Sequence, residues 1–355
     1  MKKLSEFIWP LIGLAAVVVS GYFLYQELKT TSLQAIGDAI LAIPPHRILL
    51  AAASTLVAYA ALAWYDRIAL MHLGVRHISW LFVSLCSFTT YALSHNIGAS
   101  VFSGALVRYR AYTAKGLTAA QVAVLVALCS FTFFLGTVLL GGICLVDDPE
   151  LLMRLEGKLP GFLTNSKTAL IVGACMLGFV ALYVAGSVLH LRPLHIRSFK
   201  LEYPRPGIML RQLLAAPLEL LGAAGIIYFA LPDAMNPGFI PVLAIFLASF
   251  SVALASHAPG GLGVFEIVFI TAMSITDAAQ KDAIIAAVIV FRIFYFWIPA
   301  LISIGVVIVF ERSRLAAAIG SAAHPRAPAA VPEPPVTVPG LDAHEIKREL
   351  KQKAV

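Results

Sequence analysis

Charge is what this chain has least of. Asp, Glu, Lys and Arg together make up 13% of its 355 residues, about half of the roughly 25% usual in soluble domains. So few charges cannot clothe a soluble surface of this size. Cysteine is also scarce: Cys86, Cys129, Cys144 and Cys175 each lie in an apolar stretch, without metal-ligand spacing. That pattern argues against a zinc site or a disulfide framework and reads as reduced core residues. No glycine-rich phosphate loop and no nucleophile elbow is present, so no catalytic residue, metal or cofactor is assigned, and any enzyme chemistry would have to proceed inside the membrane. The formal charge of +7 would suit a nucleic-acid partner if the cations formed a stripe. They fall instead in short loops and in the tail, as membrane orientation requires.

What remains is apolar. Sixty per cent of the residues are hydrophobic and the mean hydropathy is +0.87, the composition of a polytopic membrane protein. The segment from Ser249 to Glu266 is apolar and of membrane length, but it is interrupted by Pro259-Gly260-Gly261. Proline removes a backbone donor and adjacent glycines disfavour a continuous helix. In a bilayer the backbone groups freed at such a break must be satisfied by protein or by water in a cavity, so the break marks a site. A weaker copy lies upstream: Ser87-Phe88, Ser94-His95 and Gly98 recur with the same spacing as Ser249-Phe250, Ser256-His257 and Gly260.

The run from about 7 to 25 follows Met1-Lys2-Lys3 and reads as a retained span, since it is long and no small-residue cleavage site follows it. A short interfacial helix over 32–43 comes next, then spans over about 48–71, 119–146, 168–190, 212–231 and 283–310. Asp66-Arg67, near the end of the second span, reads as an interfacial anchor. The first broken segment, about 79–107, has Arg76 before it and Arg108, Arg110 and Lys115 after it. By the positive-inside rule it therefore enters from the cytoplasm and returns there. The second is flanked by Pro232-Asp233 and by Asp277, Lys281 and Asp282, without cationic excess, and should dip from the outer face. The expected fold is an all-α polytopic membrane protein with about six full spans and two oppositely oriented re-entrant broken-helix hairpins, an inverted repeat with both termini cytoplasmic. In transporters of that plan the substrate site lies where the two breaks meet. Residues 1–315 form the membrane domain in this reading. Residues 316–355 form a cytoplasmic tail whose stretch 325–339 holds six prolines and reads as disordered.

Intramembrane charge supplies the candidate site residues. Arg292 lies nine residues past Ala283, which at about 1.5 Å per residue places it about 13 Å deep in a ~30 Å core. Glu219 reaches a similar depth and Glu266 lies in the second hairpin. One reading is a structural Arg-carboxylate pair joining hairpin to helix. The other is a headgroup site in which Arg292 meets phosphate and a carboxylate meets an amine; both can hold at once. Arg108 and Arg110 are either interfacial anchors or bidentate phosphate ligands at the cytoplasmic mouth. His95 and His257 occupy matched positions before the breaks, as core hydrogen-bonding residues or as a proton relay. Asn96, Gly98, Pro259, Gly260 and Gly261 complete the substrate-binding set through the broken backbone.

Three motifs in order, Ser103-Gly104-Ala105-Leu106-Val107-Arg108-Tyr109-Arg110-Ala111-Tyr112 with Gly116, then Pro259 to Glu266, then Phe291-Arg292-Ile293-Phe294-Tyr295-Phe296-Trp297-Ile298-Pro299, resemble the transmembrane region of lysylphosphatidylglycerol synthases. These are the multiple peptide resistance factors, which include stand-alone relatives of about this length. The resemblance covers roughly residues 5–315 and matches Arg108, Arg110, Glu266 and Arg292. It departs from strict symmetry, with Asn96-Ile97-Gly98 at one break and Ala258-Pro259-Gly260 at the other. In the fused relatives this region is regarded as a lipid flippase tied to antimicrobial peptide resistance, and a cytoplasmic domain attaches lysine to phosphatidylglycerol. The roughly forty tail residues here leave no room for that domain. The resemblance therefore implies flipping or transport of an anionic or aminoacylated phospholipid across a bacterial inner membrane. The alternative is a membrane scaffold, or half of a lipid-modifying enzyme, serving a separately encoded synthase or glycosyltransferase. The partners implied are membrane phospholipids and such a synthase, with no nucleic acid.

The distribution of Lys and Arg predicts that 108–118 and 192–210 face the cytoplasm while 147–166 and 276–282 face outward. A Lys115→Cys variant should be labelled by an impermeant thiol reagent only after the cells are opened. Labelling from the periplasm would overturn the re-entrant path of the first hairpin.

Overall fold

The computed structural model describes residues 33–97, 100–150, 153, 165–189, 194–196, 199–201, 203–273 and 278–323. The span expected near 7–25, Gly98 and the proline-rich stretch lie outside the described residues. The chain divides into two compact units, Met1–Val307 and Ile308–Val355. In the second, residues 308–323 are described, all of them helical.

The first unit is built from helices. A short one, α1 (Leu33–Leu41), precedes α2 (Pro45–His72). The broken pair α3 (Trp80–Ile97) and α4 (Ser100–Thr113) follows, then α5 (Ala119–Asp147) and α6 (Ser166–Val188). After α7 (Pro206–Ala230) comes the second pair, α8 (Phe239–Ala255) and α9 (Val264–Ala272). The last stretch runs α10 (Ala278–Arg292), a π turn (Ile293–Trp297) and α11 (Ile298–Ala323), of which residues 308–323 belong to the second unit. Among the described residues, five stretches are long and apolar enough to cross a membrane: Pro45–His72, Ala119–Asp147, Ser166–Val188, Pro206–Ala230 and Ala279–Phe310. The protein is an all-α polytopic membrane protein. One small addition is a hairpin of two three-residue strands, Leu194–Ile196 antiparallel to Phe199–Leu201, in the basic stretch after α6.

Local chemistry explains the ends of the spans. Pro45 and Pro206 open α2 and α7, where a missing N–H is no loss. Thr118 caps α5 in a reciprocal box: its hydroxyl accepts from the Gln121 N–H at 3.2 Å while the Gln121 side chain accepts from the Thr118 N–H at 2.9 Å. Between helices, small residues allow close approach, the usual device where water supplies no hydrophobic drive. A Cβ on Gly222 of α7 would stand 2.9 Å from both the Ala58 nitrogen and the Ser54 carbonyl oxygen of α2. Cys86, Cys129 and Cys144 are buried as expected, whereas Cys175 is exposed on α6, a helix whose outer face is apolar.

Both broken segments fold back on themselves. In the first, a Cβ on Gly104 would lie 3.2 Å from Thr90 Cγ2 and 3.5 Å from Ser94 Cβ, so α4 runs antiparallel along α3. In the second, Phe265 of α9 packs edge-on to Phe246 of α8 with centroids 5.9 Å apart, and a Cβ on Gly261 would strike Ala253 Cβ at 2.7 Å. The two tips meet: the His95 carbonyl lies 3.7 Å from the Cβ position of Gly260, and the His95 ring stands edge-on to Phe250.

Because Gly222 faces backbone atoms that cannot swing aside, Gly222→Ala should destabilise the protein by about 1–3 kcal/mol. Gly178→Ala, where a Cβ meets nothing within 4 Å, should leave stability unchanged or raise it slightly. Thermal unfolding of the purified protein in detergent checks the pair, and equal midpoints for both variants would contradict the close α2–α7 crossing.

Candidate functional site

The break between α8 and α9 is made by four left-handed residues: His257 (φ 56°), Gly260 (φ 63°), Gly261 (φ 59°) and Gly263 (φ 78°). Glycine adopts this region freely, but His257 does so at a cost of about 1–3 kcal/mol. Its Nδ1 is 2.9 Å from the Ala255 carbonyl. Pro259 opens the turn Pro259–Gly261. The backbone carbonyls so released are met by Arg292, whose Nη1 donates to the Gly260 oxygen at 2.9 Å and Nη2 to the Gly261 oxygen at 3.5 Å. Arg292 Nε also donates to Glu266 Oε1 in a buried ion pair. The other Glu266 oxygen accepts from the Gly263 N–H at 2.8 Å. One carboxylate therefore caps the start of α9 and neutralises Arg292.

Arg292 is delivered to this point by the π turn that follows it. Pro299 has no N–H to give the Tyr295 carbonyl four residues earlier, and its ring would clash there, so the helix widens. The exposed carbonyls find partners on other helices. The Tyr59 hydroxyl donates to the Tyr295 oxygen at 2.9 Å, and Asn96 Nδ2 donates to the Phe296 oxygen at 3.1 Å and to Ala92 at 2.7 Å.

A second buried pair ties the first hairpin to α2. Arg108 Nη2 donates to Asp66 Oδ1 at 2.7 Å and Nε lies 3.2 Å from both carboxylate oxygens. The Tyr112 hydroxyl donates to Oδ2 at 2.8 Å, and the Cys129 thiol lies 3.4 Å from Oδ1. The guanidinium also covers the Tyr91 ring at 4.8 Å. This corrects the sequence reading of Asp66 as an interfacial anchor. Asp66 is fully buried and Arg108 is only 4% exposed. The adjacency of Asp66 and Arg67 hid the role, because consecutive helical residues point in different directions. Arg67 turns away to the Ile78 carbonyl at 3.2 Å.

Between the two breaks lies a cavity of about 260 Å³. Arg108, His95, His257, Gly260 and Gly261 line it, with Ser94, Ser130 and an aromatic wall of Tyr91, Phe133, Phe250, Phe265 and Phe296. The structure thus gathers Arg108, His95, His257, Gly260 and Gly261 at one place, with Asn96, Glu266 and Arg292 immediately behind. Arg110, two residues after Arg108 on α4, is exposed and does not line the cavity. Glu219 is buried but stands apart from Arg292, accepting from the Tyr295 hydroxyl at 2.6 Å. His95 and His257 do not match in conformation, since His95 lies inside α3 and His257 in the turn after α8.

A family model described as the lysylphosphatidylglycerol synthase TM region matches residues 11–303. The chain belongs to that family. Among its relatives are "Uncharacterized protein slr0712" of Synechocystis sp., 28% identical over 303 residues, 84% of this chain and 90% of that protein. "Inner membrane protein YbhN" of Escherichia coli (strain K12) is 30% identical over 261 residues, 72% of this chain and 78% of that protein. The matched region of this lysylphosphatidylglycerol synthase TM-region chain contains both hairpins, both ion pairs and the cavity.

Removing one member of a buried pair strands the other charge, at a cost of about 3–5 kcal/mol, while removing both relieves much of it. Asp66→Ala and Arg108→Ala should each lower stability strongly, and the double variant should be more stable than additivity predicts. Glu266→Ala with Arg292→Ala should behave likewise, less completely, since the Gly260 and Gly261 carbonyls also need Arg292. Unfolding in both double-mutant cycles checks this, and additive losses would exclude direct coupling.

Proposed function

We propose that the protein translocates an anionic or aminoacylated phospholipid across the bacterial inner membrane, its headgroup passing through the cavity between the hairpins. The observation that carries this reading is the meeting of two broken-helix tips at a space of about 260 Å³ lined by Arg108, His95 and His257. That volume is just below the range of about 300–1,000 Å³ typical of ligand pockets. It suits a headgroup and not a whole phospholipid, whose chains can stay in the hydrocarbon. Broken helices that meet near the midplane are where transporters place their substrates. The inner-membrane location is taken from the name of the Escherichia coli relative, and membership of a family named for a lipid synthase favours a lipid cargo.

The ion pairs hold the arginines beside such a path: Asp66 holds Arg108 and Glu266 holds Arg292, so neither guanidinium stands unpaired in hydrocarbon. An entering phosphate shares Arg108 with Asp66, and an ammonium on an aminoacylated headgroup meets the carboxylates that the arginines partly release. The bidentate geometry at Asp66 depends on the planar guanidinium fork, which lysine lacks.

Arg108→Lys and Arg292→Ala should each slow translocation about tenfold or more, the scale of one charge-assisted hydrogen bond of about 1.5–3 kcal/mol. Arg211→Ala serves as control, because Arg211 is exposed and its Nη1 donates to the Gly207 carbonyl of its own helix at 2.8 Å, and an exposed surface bond contributes little. Accessibility of a labelled anionic phospholipid in proteoliposomes, at equal folded amounts, is the measurement. Equal rates in all three variants and the wild type would overturn this reading.

A further inference from the structure

Glu219 is a buried carboxylate that neither ion pair uses. It is 1% exposed in the middle of α7. Its Oε1 accepts from the Tyr295 hydroxyl at 2.6 Å, while its Oε2 is buried without a hydrogen-bond partner. No Lys, Arg or His among the described residues forms an ion pair with it. The groups on the packed elements account for themselves in other ways. On α2, Tyr59 donates to the Tyr295 carbonyl, while the Tyr65 hydroxyl lies 3.5 Å from the Ala216 carbonyl and also faces Glu219 as a neutral donor. On α5, Cys129 faces Asp66; on α6, Tyr183 donates to Gln212; on α10, Arg292 is held by Glu266. The sequence of α8 contains no titratable side chain. Glu219 therefore has a vacant acceptor oxygen and no cation that competes with a proton for it.

The same group is joined to the cavity. Tyr295, its hydroxyl partner, stacks on His95 with centroids 5.4 Å apart and planes 20° apart. His95 lines the cavity, and its Nδ1 is also buried without a partner. Tyr295 belongs to the π turn that begins directly after Arg292, whose guanidinium holds the Gly260 carbonyl at the cavity wall. A change at Glu219 is thus one side chain from the turn that positions the arginine and two from the cavity itself.

We propose that Glu219 is a proton-binding site coupled to occupancy of the cavity by a phosphate-bearing anion. One proton from the aqueous phase binds Oε2 as the anion enters and is released as it leaves, so the protein carries the headgroup as a near-neutral unit. The coupling is reciprocal: protonation of Glu219 tightens binding of the anion, and the anion tightens binding of the proton. Affinity for an anionic headgroup therefore rises as pH falls. Couplings of this kind are worth about 5–150-fold in affinity. The identification of the anion as a lipid headgroup rests on the transport reading above, whereas the proton site itself does not.

The test uses the full-length protein in detergent with a pH-indicator dye. Phosphatidylglycerol, phosphatidylcholine and inorganic phosphate are added in separate arms, and ligand binding is measured on the same samples. The wild type should take up about one proton per phosphatidylglycerol bound and none with phosphatidylcholine. Glu219→Gln, which keeps the shape and cannot take up a proton, should show no uptake per lipid bound, and Glu219→Asp should restore part of it. Equal uptake with inorganic phosphate alone would assign the anion to a soluble source and overturn the lipid half of the proposal. Undiminished uptake in Glu219→Gln, or lipid binding by the wild type without uptake, would overturn the proton site. If no lipid binds the wild type, the transport reading fails, and infrared titration then decides the site separately. A carboxyl band that titrates in the wild type and is missing in Glu219→Gln supports it, and no such band overturns it.

Discussion

A backbone carbonyl released inside a bilayer has no water to accept in place of its helix partner, and this constraint organises the centre of the molecule. Regular helix is interrupted at the Pro259–Gly261 turn and again at the π turn Ile293–Trp297, and side chains from other elements donate to four of the carbonyls there. Arg292 takes Gly260 and Gly261, Tyr59 takes Tyr295, and Asn96 takes Phe296. These bonds cross between elements, so they also lock the second hairpin to α10, the π turn to α2, and the first hairpin to the π turn. The irregular backbone persists because donors from three separate elements, α2, α3 and α10, satisfy it together.

The two ion pairs repeat one plan with the charges exchanged. In the first hairpin the returning arm carries the cation, Arg108, and the neighbouring helix carries the acid, Asp66. In the second the returning arm carries the acid, Glu266, and the neighbouring helix carries the cation, Arg292. Each hairpin is thereby tethered to a full-length helix by a bond that costs desolvation of two charges and stands only if both remain. Such bonds fix the position of each hairpin against its helix. The chemical symmetry is incomplete, as Asn96 at one tip and the Pro259–Gly261 turn at the other already indicate.

Much of the plan was legible in the residues. Apolar length located the spans, and Pro259-Gly260-Gly261 located the second break, because proline and glycine act on the backbone wherever they occur. The weaker spacing of Ser94-His95 with Gly98 located the first, and α3 ends at Ile97. The pairing of Arg292 with a carboxylate was expected, but the choice between Glu266 and Glu219 was not readable from depth alone. Asp66 was misread, since its partner is 42 residues away and no local pattern joins them. Pro299 carried a signal that the sequence reading left unused: a proline four residues after Tyr295 forces a carbonyl to seek another donor.

The sequence by itself determined the class of the molecule, the places where helices must break and the presence of charges at membrane depth. These follow from composition and from the covalent geometry of proline and glycine, which act locally. Tertiary structure alone decided which charges meet. A guanidinium selects a carboxylate by direction and distance across packed helices, and those are set by residues such as Gly104, Gly222 and Gly261, whose missing side chains let the backbones approach. It also decided that Glu219 accepts from Tyr295 through one oxygen while no cation of the described residues pairs with the other, because the packed helices bring only neutral side chains to it.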